Sequence, residues 1–201
     1  MTEKLTRELA KKLMKIKGEA RGTHFICDAK FVLKEKGKEG LKKVEEKLKE
    51  VGYPIEYEKI KNMEFYPAGM RALSLLAIKE AFKWDDEKIK EMCAFAPKIS
   101  FIVKLFARFF FSPVEIIKKG PEIWREYFTE GDFEIIKVDL KKKECIFRVK
   151  NFSLCKSYCK CLEGFITSLV KMVLNPKKID CKEQKCTFEG GKYHEYLVTW
   201  E

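Results

Sequence analysis

The sequence predicts an α+β fold: helices packed on a roughly four-stranded antiparallel sheet, with an N-terminal helical half followed by hairpin, helix and hairpin. Three observations carry this. Apolar residues recur at helical spacing as far as Phe128, the period switches to alternation after Gly131, and one more helical stripe separates two strand pairs near the end. Runs of helices followed by hairpin strands favour α+β over a doubly wound parallel sheet.

Taken in order, residues 3–16 read as a helix with Leu5, Leu9, Leu13 and Ile16 on one stripe, ended by Gly18 and Gly22. Phe25-Ile-Cys27 reads as an apolar entry to a second helix that Asp28 caps, interrupted at Gly37 and Gly40. Leu41, Val44, Leu48 and Val51 restore the stripe up to Gly52. After Phe65-Tyr66-Pro67 a helix is expected from Ala68 to Phe82, and another from Asp85 or Asp86 to Pro97. Ile99–Phe111 is apolar on nearly every side except the Lys104/Arg108 line. Such a helix is core, an interface between two copies, or the wall of an apolar pocket. Pro113 begins a further helix that Gly120-Pro121 breaks, and Ile123, Trp124, Tyr127 and Phe128 continue its stripe.

Phe133 to Leu140 and Cys145 to Val149 alternate around the Lys141-Lys-Lys143 turn and read as a hairpin. Tyr158 to Leu174 is helical. Short strands are expected near Ile179–Lys182 and Cys186–Phe188, and a last one over Tyr193–Trp200. Residues 1–20 are expected to form an N-terminal helical extension, and residues 21–201 a single domain.

The 201 residues carry a formal charge of +11, 46% apolar and 13% aromatic residues, and sixteen phenylalanines. That excludes a disordered chain. Lysine supplies nearly all the positive charge and is interleaved with glutamate at helical spacings, a solvated and ion-paired surface; no nucleic-acid partner is expected. Gln184 is the only glutamine, and with abundant Lys and Glu this gives a thermophile-like composition. No signal peptide or membrane-spanning stretch is read, so a cytoplasmic location is expected.

No GxGxxG after a strand, P-loop, HExxH or GxSxG is present, and the two histidines, His24 and His194, lack an evident orienting partner. Both read as surface or structural residues, and catalysis is not expected. The cysteines are more informative. Cys155, Cys159 and Cys161 open one cluster, and Cys181 and Cys186 form a second after the intervening helix. Soft thiolates from both could close a structural zinc site, with Glu163 or Glu183 as an oxygen ligand. A disulfide or free thiols stand level with that reading. Cys27, Cys93 and Cys145 lie on apolar stripes and read as core.

Cys161-Leu-Glu-Gly164-Phe, Cys181-Lys-Glu-Gln-Lys-Cys186-Thr-Phe and Tyr196-Leu-Val-Thr-Trp200, with Gly22-Thr-His-Phe-Ile earlier, carry a resemblance. They are similar to the ligand-binding superfamily of nitric-oxide signalling and Golgi transport proteins, which includes the 4-vinyl reductase domain, the haem–nitric-oxide-binding domain and the TRAPP tethering subunits. The resemblance covers roughly Gly22 to Trp200. It implies an antiparallel sheet, a homodimer through helices, and an apolar pocket between sheet and helices. In sensor members of the 4-vinyl reductase branch, zinc is bound close to the pocket, which favours Cys181 and Cys186 with Cys161 or Cys159. Asp180 stands where an acidic residue often precedes the first hairpin cysteine, and Gln184 and Lys185 replace the usual glycine. The tyrosine–serine–arginine signature of haem-binding members is missing, and no proximal histidine is evident, so haem is not expected.

The expected function is a non-catalytic module that binds a hydrophobic small molecule, its pocket drawn from Phe101, Phe106, Phe110, Trp124, Phe128 and Phe165, with a cysteine site beside it. The alternative is a homodimeric assembly or tethering subunit with no cavity. A tetrapyrrole-modifying enzyme ranks last, because no hydride-carrier motif is present.

Overall fold

The structure, a computed structural model, describes residues 4–99 and 117–201. Helix α1 (Arg7–Leu13) is capped by Thr6, whose hydroxyl accepts a hydrogen bond from Leu9 N at 3.2 Å. Leu5, Ala10 and Leu13 of this N-terminal segment are buried in the same core as the rest of the described chain. Strand β1 (Glu19–Arg21) leads into α2 (Thr23–Glu50), which leaves helical geometry at Gly37, where φ is +67°. That left-handed backbone suits a residue without Cβ. Strand β2 (Phe65–Pro67) pairs antiparallel with β1, followed by α3 (Ala68–Phe82) and α4 (Asp86–Ile99). After α5 (Gly120–Tyr127) come β3 (Asp132–Asp139), β4 (Glu144–Lys150), α6 (Lys156–Leu174), β5 (Ile179–Lys185) and β6 (His194–Trp200). The aromatic run expected over 99–111 lies, beyond the end of α4, outside the described residues.

The fold is α+β. Its main sheet has four antiparallel strands in the order β3-β4-β6-β5. Alternation works as the period-2 pattern requires: Cys145, Phe147 and Val149 of β4 point inward, as do Tyr196 and Val198 of β6. Three expectations need correction. Cys186–Phe188, expected as a strand, lies between β5 and β6, where Thr187–Glu189 forms a short 3-10 turn. Asp28 does not cap α2; the helix starts at Thr23, and Asp28 is one turn inside it, buried against Arg71 of α3. The short β1–β2 pair carries no alternation and was not expected.

Helix α3 is buried almost all round, from Ala68 through Ala81, because the other helices and β1–β2 surround it. Helices α4 and α6 approach closely at Gly164, where an added Cβ would come within 2.0 Å of the Lys90 carbonyl oxygen. Backbone on the opposing helix cannot step aside as a flexible side chain would. Gly164→Ala is therefore expected to destabilise the fold by about 1–3 kcal/mol through overpacking, read as a lower urea midpoint at unchanged slope. Among the described residues no helix is long and apolar enough to cross a membrane.

Candidate functional site

Two groups of side chains stand out, and α6 contributes to both. The first surrounds an apolar cavity of about 50 Å³ between the start of α2, α3, α4, α5 and α6. Trp124, Phe128 and Phe165, expected in a pocket, line it together with Tyr127, Phe133 and Leu162. Phe101, Phe106 and Phe110 lie outside the described residues. The aromatic wall is held by ring contacts: Trp124 to Phe128 at 4.8 Å and Phe128 to Phe152 at 4.7 Å between centroids. Trp124 is fixed from the other side by donating Nε1–H to the Glu130 carbonyl at 3.0 Å.

The cavity has one polar corner. His24, read from the sequence as a surface or structural residue, is buried with its ring 5.0 Å from Tyr127 and 4.8 Å from Phe128. Its Nε2 meets no hydrogen-bond partner among the described residues. Burial, reinforced by the charges of Arg71 and Arg21, holds its pKa well below the ordinary histidine value, so the imidazole is neutral. Beside it Asp28 pairs with Arg71 Nη1, and Ser74 donates its hydroxyl to Asp28 at 3.0 Å while sharing a 2.8 Å hydrogen bond with Tyr57. Burial raises the Asp28 pKa even though Arg71 and Ser74 both pull it down. Cys27, on the same stretch of α2, is pushed up to about 12, chiefly by burial.

Cys93 and Cys161 form a disulfide in the cavity wall, tying α4 to α6. This corrects the reading of Cys93 as simple core. The close approach at Gly164 puts the two Cα atoms 5.0 Å apart, within bonding range for cysteines.

The second group lies at the other side of α6. The donor atoms of Cys159, Glu183, Cys186 and His194 all fall within 4.8 Å of one another. The two sulfurs are 3.7 Å apart, Cys159 Sγ is 3.7 Å from His194 Nδ1, and Nδ1 is 2.7 Å from Glu183 Oε1. Thr187 Oγ1 lies 2.8 Å from His194 Nε2 and fixes the ring from behind, the arrangement that orients a metal-ligating imidazole. Burial, then the Glu183 carboxylate, drives the Cys159 pKa far above the usual thiol range, and burial also raises that of Cys186. A bound cation reverses this, because it selects the thiolate.

Of the five cysteines expected to bind metal, the structure brings Cys159 and Cys186 together. Cys161 is in the disulfide, and Cys155 and Cys181 are buried but outside this cluster. Glu183 joins it. Glu163 instead receives Lys160 at 2.7 Å and Lys90 at 3.2 Å, and its carboxylate accepts from Glu183 N at 3.1 Å. His194 was missed as a ligand candidate. The signal was present: Glu183, Cys186 and His194 sit on the two arms and turn of one hairpin, facing the helix that carries Cys159.

No protein-family model and no curated protein matches the chain. Solved structures do match. The fold is that of H-NOX proteins, the haem–nitric-oxide-binding branch of the resemblance seen in the sequence. An H-NOX protein from S. oneidensis in the Fe(II)NO ligation state superposes with a TM-score of 0.66 at 13% identity, over 90% of this chain and 99% of the other. A variant H-NOX from T. tengcongensis gives 0.62 at 17%, over 90% and 97%. A structure described as modulating haem redox potential through porphyrin distortion gives 0.59 at 16%, over 90% and 99%. At such identities the likeness establishes the fold.

These neighbours overturn the exclusion of haem. It rested on a missing signature and a missing proximal histidine, yet proteins of this fold bind haem iron. The present chain has a neutral, buried imidazole on its cavity wall, with one nitrogen that meets no partner among the described residues. The same neighbours give no support to zinc.

Proposed function

We propose that this chain is a small-molecule sensor module whose ligand occupies the cavity beneath α2, α5 and α6. The observation that carries the reading is the apolar cavity with a polar corner, where His24 Nε2 has no partner among the described residues. An apolar enclosure with a few convergent polar groups is the usual form of a ligand site. The cavity also speaks against the alternative, an assembly subunit with a filled core.

The likeness to H-NOX structures makes haem the first occupant to test. His24 would supply the nitrogen donor, and Trp124, Phe128 and Phe165 the apolar surround. When bound, haem would supply an iron centre for a diatomic gas. The free space is well below the roughly 150 Å³ that holds a benzene ring, so a ring-sized ligand requires the walls to move, and the Cys93–Cys161 disulfide restrains two of them, α4 and α6. Titrating the full chain with haem, with and without dithiothreitol, is expected to give one haem per chain and a spectrum of axial imidazole, faster under reduction. His24→Ala should lose that signature. An unchanged spectrum in the variant would remove His24 from the role, and no binding of haem or of any hydrophobic ligand would sink the sensor reading.

The Cys159–Glu183–Cys186–His194 cluster is proposed to hold a single divalent metal ion that pins the β5–β6 hairpin to α6. Two thiolates, an imidazole and a carboxylate make a closed structural shell. Elemental analysis of protein purified without chelator is expected to find one such ion per chain. His194→Ala should lose it with a lowered melting temperature, and a metal-free wild type with the same melting temperature would refute the assignment.

A further inference from the structure

Arg71 is a buried cation whose hydrogen bonding is incomplete among the described residues. It is 1% exposed, and Nη1 donates to Asp28. Its other edge, formed by Nε–H and Nη2–H, is the fork that grips a carboxylate through two parallel hydrogen bonds. Among the described residues, Nη2 on that edge meets only the disulfide sulfurs, Cys161 at 3.5 Å and Cys93 at 3.9 Å, and Nε meets no acceptor. Sulfur accepts weakly, so half of a buried guanidinium is without an oxygen partner. On the same cavity wall His24 Nε2 is also unpartnered, and Arg71 lies near enough for its charge to act on that ring. Apart from Asp28 and Cys27, the rest of the described lining is mainly apolar and aromatic, including Trp124, Phe128, Leu162 and Phe165.

We propose that the cavity takes an amphiphilic ligand, an apolar body bearing a carboxylate, and that the Nε–Nη2 edge of Arg71 receives the two oxygens of that carboxylate. This rests on the reading of the cavity as the binding site. The carboxylates of a porphyrin and the head of a small organic acid share this chemistry. A neutral ligand of the same shape would fill the apolar part and leave the fork unmet.

The test compares each acid with a neutral partner on the full chain by calorimetry: octanoate against 1-octanol, and haem against its dimethyl ester. The acid is expected to bind at least about tenfold more tightly than its partner. Arg71→Lys keeps the charge opposite Asp28, and the net charge of the protein, but removes the fork. It should bring acid and neutral partner to within about twofold of one another. Attraction of acids to surface lysines would survive this substitution, so it cannot mimic the result. A preference confined to the octanoate pair assigns a small organic acid, and one confined to the haem pair assigns the porphyrin. Equal binding of acid and neutral partner by the wild type overturns the proposal while the pocket stands. Retention of the preference in Arg71→Lys, confirmed folded by circular dichroism, also overturns it. Binding of none of the four removes the pocket reading together with the proposal.

Discussion

Arg71→Met is expected to lower stability by about 3–5 kcal/mol, because it leaves the Asp28 carboxylate buried without its cation. Both side chains of the pair are nearly inaccessible, at 2% and 4%, so water cannot take Arg71's place. The loss should depend on pH in a defined direction. Asp28 already holds its proton to higher pH in the folded protein than in the unfolded chain, because burial outweighs Arg71 and Ser74. For a carboxyl raised in this way, stability falls as pH climbs from the ordinary carboxylate range through the folded-state value. Without Arg71 that value rises further and the window widens. Urea denaturation should therefore show a larger deficit near ~pH 8 than near ~pH 5. Adding Asp28→Asn should return much of the loss, since an amide carries no charge to strand. A deficit independent of pH, or no recovery in the double variant, would show that Arg71 acts by filling space.

The second large effect is expected from the disulfide. Replacing Cys93 and Cys161 by serine removes a link across 68 residues of chain, which in the chain-entropy account costs about 4 kcal/mol. Guanidinium denaturation with and without dithiothreitol should show that loss in the wild type and no further effect of reductant in the double variant. The same substitution frees α4 from α6 at the cavity wall, so ring-sized ligands should enter faster. A variant as stable as the oxidised parent would mean that the wall is held by packing at Gly164 alone.

How much of this was legible in the sequence depends on the range of the interaction concerned. The β3–β4 hairpin and the stripe of α6 follow from local periodicity, and they stand where the pattern put them. Asp28 looked like a helix cap because Asp is a good one, but its partner Arg71 lies 43 positions away and no local pattern shows that. The three-residue strands β1 and β2 are too short to alternate. For the cysteines a local signal existed and was not used. Cys159 and Cys161 are two apart on one helix, hence about 200° apart around its axis, so they cannot serve the same site. The structure accordingly sends one to the β5–β6 hairpin and the other to α4. His24 was invisible for a different reason: burial, not sequence context, makes it neutral and unpaired.

That division of α6 has a thermodynamic consequence. One rigid helix forms a wall of the cavity through Leu162 and Phe165 and, less than a turn earlier, supplies Cys159 to the four-donor cluster. If an occupant of the cavity and a metal in the cluster favour different positions of this shared helix, their binding is coupled, and the coupling is reciprocal. Any factor by which an occupant of the cavity changes metal affinity must be the factor by which metal changes the occupant's affinity. The chelator concentration that strips half of the metal at equilibrium would then be a remote gauge of what the cavity holds, readable without a spectroscopic label on the ligand.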